Sequence, residues 1–335
     1  MTEPLVSVSM ITYNHAPFIA QAIEGVLQQK TTFPFELVIG EDCSTDGTRE
    51  IVFEYQKMHP KIIRVITMDK NVGMKKNGLR TIGACQGKYI AFCEGDDYWH
   101  NPQKLQKQAD YLETHLACGL VYSSYDVYHV TSRKKILDFI KYRKWEMPEN
   151  LTIVDIVESK YGRSRGIMTC TVMLRRNLCE EIIDADPYLH QSDDFLMGDT
   201  QLWAEMATKA RLRYIPESLA THNITDESAT RSPNKEKVLR FGISGAGLQM
   251  YLCDKYKLPS HIRFKYQEYQ LNCLLRLAFY TKNRELADEV RTKKKTFTLK
   301  EWIRYFGAKN TVIHYVYSLF ASFLNLIRTK HSQWT

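Results

Sequence analysis

Short runs of β-branched and apolar residues alternate with amphipathic stretches over the first 130 residues, the pattern of a parallel sheet with crossover helices. It predicts strands at Val6 to Thr12, Glu36 to Glu41, Ile62 to Thr67, Tyr89 to Cys93 and Gly119 to Tyr125. Helices are expected between them at Phe18 to Gln28, Thr48 to Met58, Lys75 to Ala84 and Pro102 to His115. Residues 131–166 are basic, aromatic and weakly periodic, and read as an inserted flap with a short helix near Val154. A strand at Ile167 to Leu174, a helix at Thr200 to Lys209 and a strand near Leu212 to Ile215 complete an α/β domain over 1–230.

After Ser232-Pro233-Asn234 the periodicity turns helical, at Glu236 to Tyr256, Ile262 to Tyr280 and Arg284 to Lys295, so residues 234–300 form a helical appendage. Gly242, Gly245 and Gly247 follow no strand and lack the spacing of a phosphate loop; close helix packing accounts for them. Residues 301–335 are expected to form a basic, amphipathic C-terminal helix. Within it, Asn310 to Ile327 carries no Lys, Arg, Asp or Glu, long enough to raise the question of a membrane span. Val312, Ile313, Val316, Leu319, Phe320, Phe323, Leu324 and Ile327 repeat at intervals of three and four, however, with Thr311, His314, Ser318, Ser322 and Asn325 opposite. A one-sided stripe suits a helix lying in an interface or packed on the protein's own core.

The 335 residues, 44% hydrophobic and 25% charged, are ordinary globular composition and suffice for one large domain plus an appendage. Eight cysteines at irregular intervals, without a Cys-x-x-Cys pair, point to buried reduced thiols rather than disulfides or structural zinc. The start shows no basic leader followed by an apolar core, so a cytoplasmic location is expected, peripheral on the inner face of the cell membrane. Residues 282–335 hold eleven Lys/Arg and four Asp/Glu, so +7 of the net +8 lies there. The remainder is near neutral, which argues against a nucleic-acid groove and for a tail that meets an anionic membrane surface. Lys293, Lys294, Lys295, Lys300, Arg304 and Lys309 before the apolar stripe, and Arg328 and Lys330 after it, would each add about 1 kcal/mol if they reached such lipid.

Ligands of open α/β sheets bind beyond the carboxyl ends of the strands. Strand one ends in Thr12-Tyr13-Asn14, strand two in Glu41-Asp42 followed by Ser44-Thr45-Asp46-Gly47-Thr48, and strand four in Glu94-Gly95-Asp96-Asp97. The acidic groups closing strands two and four, read as neighbouring strand ends, have no Lys or Arg beside them in sequence and repel one another unless a cation intervenes. Hard carboxylate oxygens suit Mn²⁺ or Mg²⁺, and Mg²⁺ takes few protein carboxylates while phosphates and water fill its other positions, which leads to a nucleotide diphosphate. Taken alone, an Asp-Asp pair after a strand is a weak signal, and Asp46-Gly47 also reads as a turn.

Together these segments resemble family 2 glycosyltransferases of the GT-A fold, a Rossmann-like, mostly parallel sheet flanked by helices. Val8-Ser9-Met10-Ile11-Thr12-Tyr13-Asn14 is similar to the family's first strand, Val38 to Thr48 to its base-binding segment, and Tyr89 to Trp99 to its metal motif in a Glu-Gly-Asp-Asp form. The resemblance spans residues 5–225. It implies that Thr12 and Asn14, with Tyr13 between them, line the nucleotide pocket, that Asp42 accepts from the base, and that Glu94 approaches the ribose beside Gly95. It further implies that Asp96 binds the metal with Asp97 as support. Glu94 stands where the family usually has Asp, one methylene shorter.

Gly198-Asp199-Thr200-Gln201-Leu202-Trp203 is similar to the segment that carries the family's general base, which makes Asp199 the expected base, with Asp193-Asp194 as the rival and helix capping as the structural alternative. His222, near Ser228 and Arg231, sits where the fold often places a histidine on the metal or diphosphate; Lys75, Lys76, Arg163 and Arg165 read as solvated surface charge. The expected activity is inverting, metal-dependent transfer of a sugar from a nucleotide-diphosphate donor, a UDP-sugar first, to a growing surface glycan or lipid-linked saccharide. Two other readings are a catalytically silent nucleotide-sugar-binding protein on the same fold and a sugar-nucleotide nucleotidyltransferase. The second lacks its glycine-rich loop, because Tyr13-Asn14-His15-Ala16-Pro17 stands there.

Overall fold

The computed structural model describes residues 3–158, 167–225, 232 and 234–319. Contacts divide the chain into two compact units, Met1–Thr225 and Asp226–Thr335. The first places the end of the sheet domain a few residues before the expected 230.

In the first unit the chain runs β1 (Val6–Thr12), α1 (Ile19–Leu27), β2 (Phe35–Glu41), α2 (Thr48–Met58), β3 (Ile63–Thr67), α3 (Met74–Ala84), β4 (Tyr89–Phe92), β5 (Tyr98–Trp99) and α4 (Lys104–Thr114). It continues with β6 (Cys118–His129), β7 (Lys134–Ile136), α5 (Phe139–Tyr142), α6 (Ile153–Glu158), a 3-10 turn (Thr169–Thr171), β8 (Met173–Arg175), α7 (Arg176–Ala185), α8 (Pro187–Gln191), α9 (Asp199–Lys209) and β9 (Arg211–Ile224). The strands form one mixed sheet in the order β3-β2-β1-β4-β8-β6-β9-β5, with β7 on β6.

The first four strands are parallel, as their unbroken apolar runs predict. Alternation assigns their two faces. Val6, Val8 and Met10 of β1 and Leu37 and Ile39 of β2 join Ile19, Ile23 and Val26 of α1 in the main core. On the other face Gly40 lets α3 approach so closely that a Cβ there would sit 2.0 Å from Thr81 Oγ1, and Asn77 Nδ2 of α3 donates to the Gly40 carbonyl at 2.7 Å.

The second half of the sheet departs from the sequence reading. The predicted strand at 167–174 is a 3-10 turn followed by the short β8, which runs antiparallel to both β4 and β6. The strands expected to stop at Tyr125 and Ile215 extend to His129 and Ile224 and pair in parallel with each other across a bulge at Ser123 to Tyr125. Polar residues made those extensions look like loop. Cross-strand partners satisfy them instead: Asp126 Oδ1 accepts from Ser218 Oγ at 2.6 Å and from the Asp138 amide at 3.0 Å, and its Oδ2 lies 3.1 Å from Lys135 Nζ.

The second unit consists of α10 (Lys235–Lys255), α11 (Ser260–Thr281), α12 (Arg284–Lys293) and α13 (Leu299–Lys309). Its core joins Leu239, Cys273 and Leu277 to Leu271, Leu275 and Val290 and to Ala278, Ala287 and Ala308. Gly242 lies inside α10 against α11, where a Cβ would come within 3.2 Å of the Tyr269 hydroxyl, so helix packing does account for that glycine. The single C-terminal helix expected from residue 301 is divided at Asn310: α13 ends there, and its Oδ1 caps a new helical segment at 311–319 through the Val312 and Ile313 amides.

In that segment His314 stacks on Phe279 of α11 with ring centroids 4.3 Å apart, while Val312, Val316 and Leu319 are exposed. Several of the basic groups expected to face lipid are engaged within this unit. Lys294 pairs with Glu268 and Glu301, and Lys309 pairs with Asp288. Phe320, Phe323, Leu324, Ile327, Arg328 and Lys330 lie outside the described residues. Among the described residues no helix is long and apolar enough to cross a membrane.

Candidate active site

The carboxyl ends of β1, β2 and β4 carry three loops that hold one another. After β1, Asn14 adopts a left-handed conformation (φ 55°), which small polar side chains tolerate. Its amide donates to Ser44 Oγ (3.0 Å) and its Oδ1 accepts the Thr45 amide (2.9 Å). The Ala16 amide donates to Asp46 Oδ2 at 2.9 Å. Asn14 therefore splices the loop after β1 to the loop after β2, while Tyr13 is 42% exposed beside it.

Asp42 is buried, and its two oxygens accept the Val72 and Gly73 amides, each at 2.9 Å. It shapes the turn that enters α3; a contact with a base would use the lone pairs left over. Glu41 is not part of an uncompensated acidic cluster, contrary to the sequence reading. Arg49, the second residue of α2, reaches back to it at 2.6 Å. The ends of β2 and β4 are also not neighbours, since β1 lies between them.

The loop after β4 is anchored to β1 by the Gly95 amide, which donates to the Ile11 carbonyl (2.9 Å). Asp97, 4% exposed, turns away from the cleft: it accepts His222 Nδ1 at 3.0 Å and the Asn223 amide at 2.8 Å, and Asn223 Nδ2 donates to the Asp96 carbonyl at 2.6 Å. The end of β9 is thereby clasped to the acidic loop. Beneath it, fully buried Lys104 lies 4.1 Å from the Trp99 ring centre and donates to Gln108 Oε1 (2.8 Å); burial pushes its ammonium down to about 7.

Beneath these loops three polar atoms, Thr12 Oγ1, His15 Nδ1 and Glu94 Oε2, are sealed from solvent and have no hydrogen-bond partner among the described residues. Burial, then the charges of Asp97, Asp96 and more weakly Asp199, push the Glu94 carboxyl well above the usual range. Burial and Asp97 raise Asp96 as well, with His15 and His222 pulling against them. A divalent cation would relieve both the repulsion and the orphaned Glu94 oxygen, so these residues fit one. Among the described residues no three His, Cys, Asp or Glu side chains converge on a ready-made metal site, so most ligands of such an ion would come from phosphate and water.

Asp199 opens α9, with Gly198 rather than Asp199 at the N-cap position. Its Oδ1 accepts the Thr200 amide (2.6 Å) and its Oδ2 the Thr169 hydroxyl (3.1 Å). The rival carboxylates are engaged elsewhere: Asp193 pairs with Lys76 at 3.0 Å, and Asp194 accepts from the Tyr188 hydroxyl. Lys75 is not the solvated charge expected, because its ammonium donates to the Ser192 and Phe195 carbonyls at 2.7 and 3.1 Å and ties down the segment that leads to α9. Arg163, Arg165, Ser228 and Arg231 lie outside the described residues.

Residues 7–183 match the family described as Glycosyl transferase family 2. The chain belongs to that family. TuaG of Bacillus subtilis, named as a teichuronic acid biosynthesis glycosyltransferase, is 30% identical over 241 residues, covering 71% of this chain and 85% of TuaG. An uncharacterized protein of Mycobacterium tuberculosis is 42% identical over 109 residues; the match spans about a third of that relative, 32% of its length. In fold the chain is similar to residues 1–349 of Staphylococcus aureus TarS, solved in complex with UDP-GlcNAc (TM-score 0.55, 18% identity, 92% of this chain and 89% of that one). It is likewise similar to the mannosyltransferase PcManGT of Pyrobaculum calidifontis, solved with GDP-Man and Mn²⁺ (TM-score 0.55, 14% identity, 96% and 88%). The GT-A α/β fold expected from the strand-end motifs is therefore the fold observed.

Sequence reasoning passed over His15, although it stands immediately after Thr12-Tyr13-Asn14. It also passed over Arg49 and, within Thr221-His222-Asn223, gave no role to Asn223; their partners lie 8 and 126 residues away.

Proposed function

We propose that the chain is an inverting, metal-dependent glycosyltransferase. It would move a sugar from a nucleotide-diphosphate donor, a UDP-sugar first, to a hydroxyl of a growing surface glycan or lipid-linked saccharide. One observation supports the reading: the Thr169 hydroxyl donates to Asp199 Oδ2 at 3.1 Å while the adjacent Cys170 carbonyl accepts Trp99 Nε1 at 2.8 Å, so a carboxylate from late in the domain is tied to the segment that follows the acidic loop of β4. The family favours transfer of a glycosyl group over nucleotidyl transfer, and the TarS and PcManGT complexes hold nucleotide sugars, one with Mn²⁺.

In this mechanism Thr12, Tyr13, Asn14 and Asp42 form the nucleotide side, and Glu94 beside Gly95 meets the ribose. Asp96 and His222 would hold Mn²⁺ or Mg²⁺. When bound, the ion supplies positive charge to the departing diphosphate. Asp97 fixes the His222 ring through Nδ1. Asp199 takes the proton of the acceptor hydroxyl as its oxygen bonds to the anomeric carbon. The bond from that carbon to the diphosphate breaks on the opposite face, so configuration inverts.

The test is donor turnover with Mn²⁺ or Mg²⁺. Asp96→Ala should lose metal-dependent turnover, and Asp199→Asn should lower kcat by about 10²- to 10⁴-fold while donor binding persists. Full activity in both variants would sink the mechanism, and wild-type donor binding without turnover would identify a silent nucleotide-sugar-binding protein. The acceptor is proposed to lie at a membrane surface, which the exposed stripe at Val312, Val316 and Leu319 supports.

A further inference from the structure

His15 is held at its backbone and along one edge of its ring. Its amide donates to Thr48 Oγ1 at 2.8 Å, and its carbonyl accepts the Phe18 and Ile19 amides at 2.8 and 2.9 Å, which begins α1. Its ring wedges over Gly95. A Cβ on that glycine would stand 3.0 Å from His15 Nδ1 and 2.7 Å from Thr12 Oγ1, so only glycine admits the ring in this seat.

Among the described residues Nδ1 has no partner, and it is sealed from solvent, so Nε2 is the ring nitrogen that can meet a ligand. A metal ion on Nε2 would put the ring proton on the sealed Nδ1 with no acceptor at hand, so the ring suits a hydrogen-bond donor better than a ligand. Nε2 lies 4.0 Å from Asp96 Oδ2, beyond hydrogen-bond reach, and the side chain keeps 26% of its surface exposed. The donor therefore faces the cleft across a gap beside the carboxylate assigned to the metal. A group that carries acceptor oxygens and is drawn to a cation at Asp96 would lie within its reach.

We infer that His15 donates from Nε2 to a phosphate oxygen of the nucleotide diphosphate. This rests on reading the cleft as a nucleotide-diphosphate site, and adds to it a recognition residue outside the Thr-Tyr-Asn and Glu-Gly-Asp-Asp motifs. A hydrogen-bond donor here can follow the charge that develops on the leaving group without binding the metal itself.

The experiment titrates UDP with Mn²⁺, and uridine alone, into the full-length wild type and into His15→Phe and His15→Gln. Phe fills the ring seat without a donor, whereas the Gln side-chain amide reaches about as far as Nε2. His15→Phe should weaken UDP about tenfold and leave uridine unchanged, and His15→Gln should recover most of the loss. Equal UDP affinity in wild type and His15→Phe, a matching loss for uridine, or no difference between Phe and Gln overturns the inference. GDP and TDP with Mn²⁺ are run on the wild type in parallel, each with its nucleoside. If one of them binds in place of UDP, that pair replaces UDP and uridine in the variants. Absence of wild-type binding to all three overturns the nucleotide-diphosphate reading itself.

Discussion

Asp126 is 4% exposed and joins three strands through one carboxylate: Ser218 of β9, Lys135 of β7 and the amide of Asp138 all meet it. Burial alone would raise its pKa, but these hydrogen bonds and the nearby His100 outweigh it and hold the carboxyl below the ordinary value. A group whose folded pKa is depressed stabilises the fold above its unfolded pKa, and that contribution is lost as pH falls through the folded value. Asp126→Asn should therefore cost roughly 2 kcal/mol at pH 7, and the difference from wild type should shrink as pH falls below about 4. Urea midpoints at pH 7 and pH 3 check this; a difference that is constant with pH rules it out. Asp126 drew no attention in the sequence because its partners lie 9 to 92 residues away. Asp97 was noticed for its charge, yet a strand 125 residues later determines what that charge does. Single-residue roles were legible where a loop's chemistry is local, as at Asn14, and illegible where the partner is distant.

At the scale of elements, local signals served best where the helix or strand carries its own start and stop. α2 is observed at Thr48–Met58, as its periodicity predicts, and β1 at Val6–Thr12. Two-residue β5 exists only because β9 lies beside it, and no periodicity can register over two positions. α13 is a helix that the sequence reading merged into its successor, although it carries a reciprocal cap. Thr298 Oγ1 faces the Glu301 amide at 3.4 Å, and Glu301 Oε2 accepts the Thr298 amide at 2.8 Å. Thr298→Ala should destabilise the protein by about 1 kcal/mol and Thr298→Ser should be nearly neutral, measured by chemical denaturation followed through helical circular dichroism. Equal stability of Thr298→Ala and wild type would show that the box contributes nothing.

For the whole molecule, the proposed membrane association rests on the far C-terminal stretch. The side bearing His314 and Tyr317 packs on Phe279, and Val312, Val316 and Leu319 are left outward. Because Lys294 and Lys309 are paired within the helical unit, the electrostatic part of the attraction should be weaker than the charge count suggests. The full-length protein should co-sediment with anionic liposomes, and deletion of residues 310–335 should remove most of that binding, with salt reducing it only in part. Retained binding after the deletion, or none before it, overturns the assignment.

The sequence by itself determined the parallel half of the sheet, the loops at its carboxyl edge and the helical character of the last third, because these follow from periodicity and from chemistry carried within a few residues. Only the tertiary structure decided the antiparallel insertion of β8, the long β6–β9 pairing and the burial of Lys104. It alone distinguished the acidic groups that are already compensated from those left facing the cleft. Charge compensation and desolvation depend on what lies a few ångströms away, and the chain brings those groups from as much as 126 residues off.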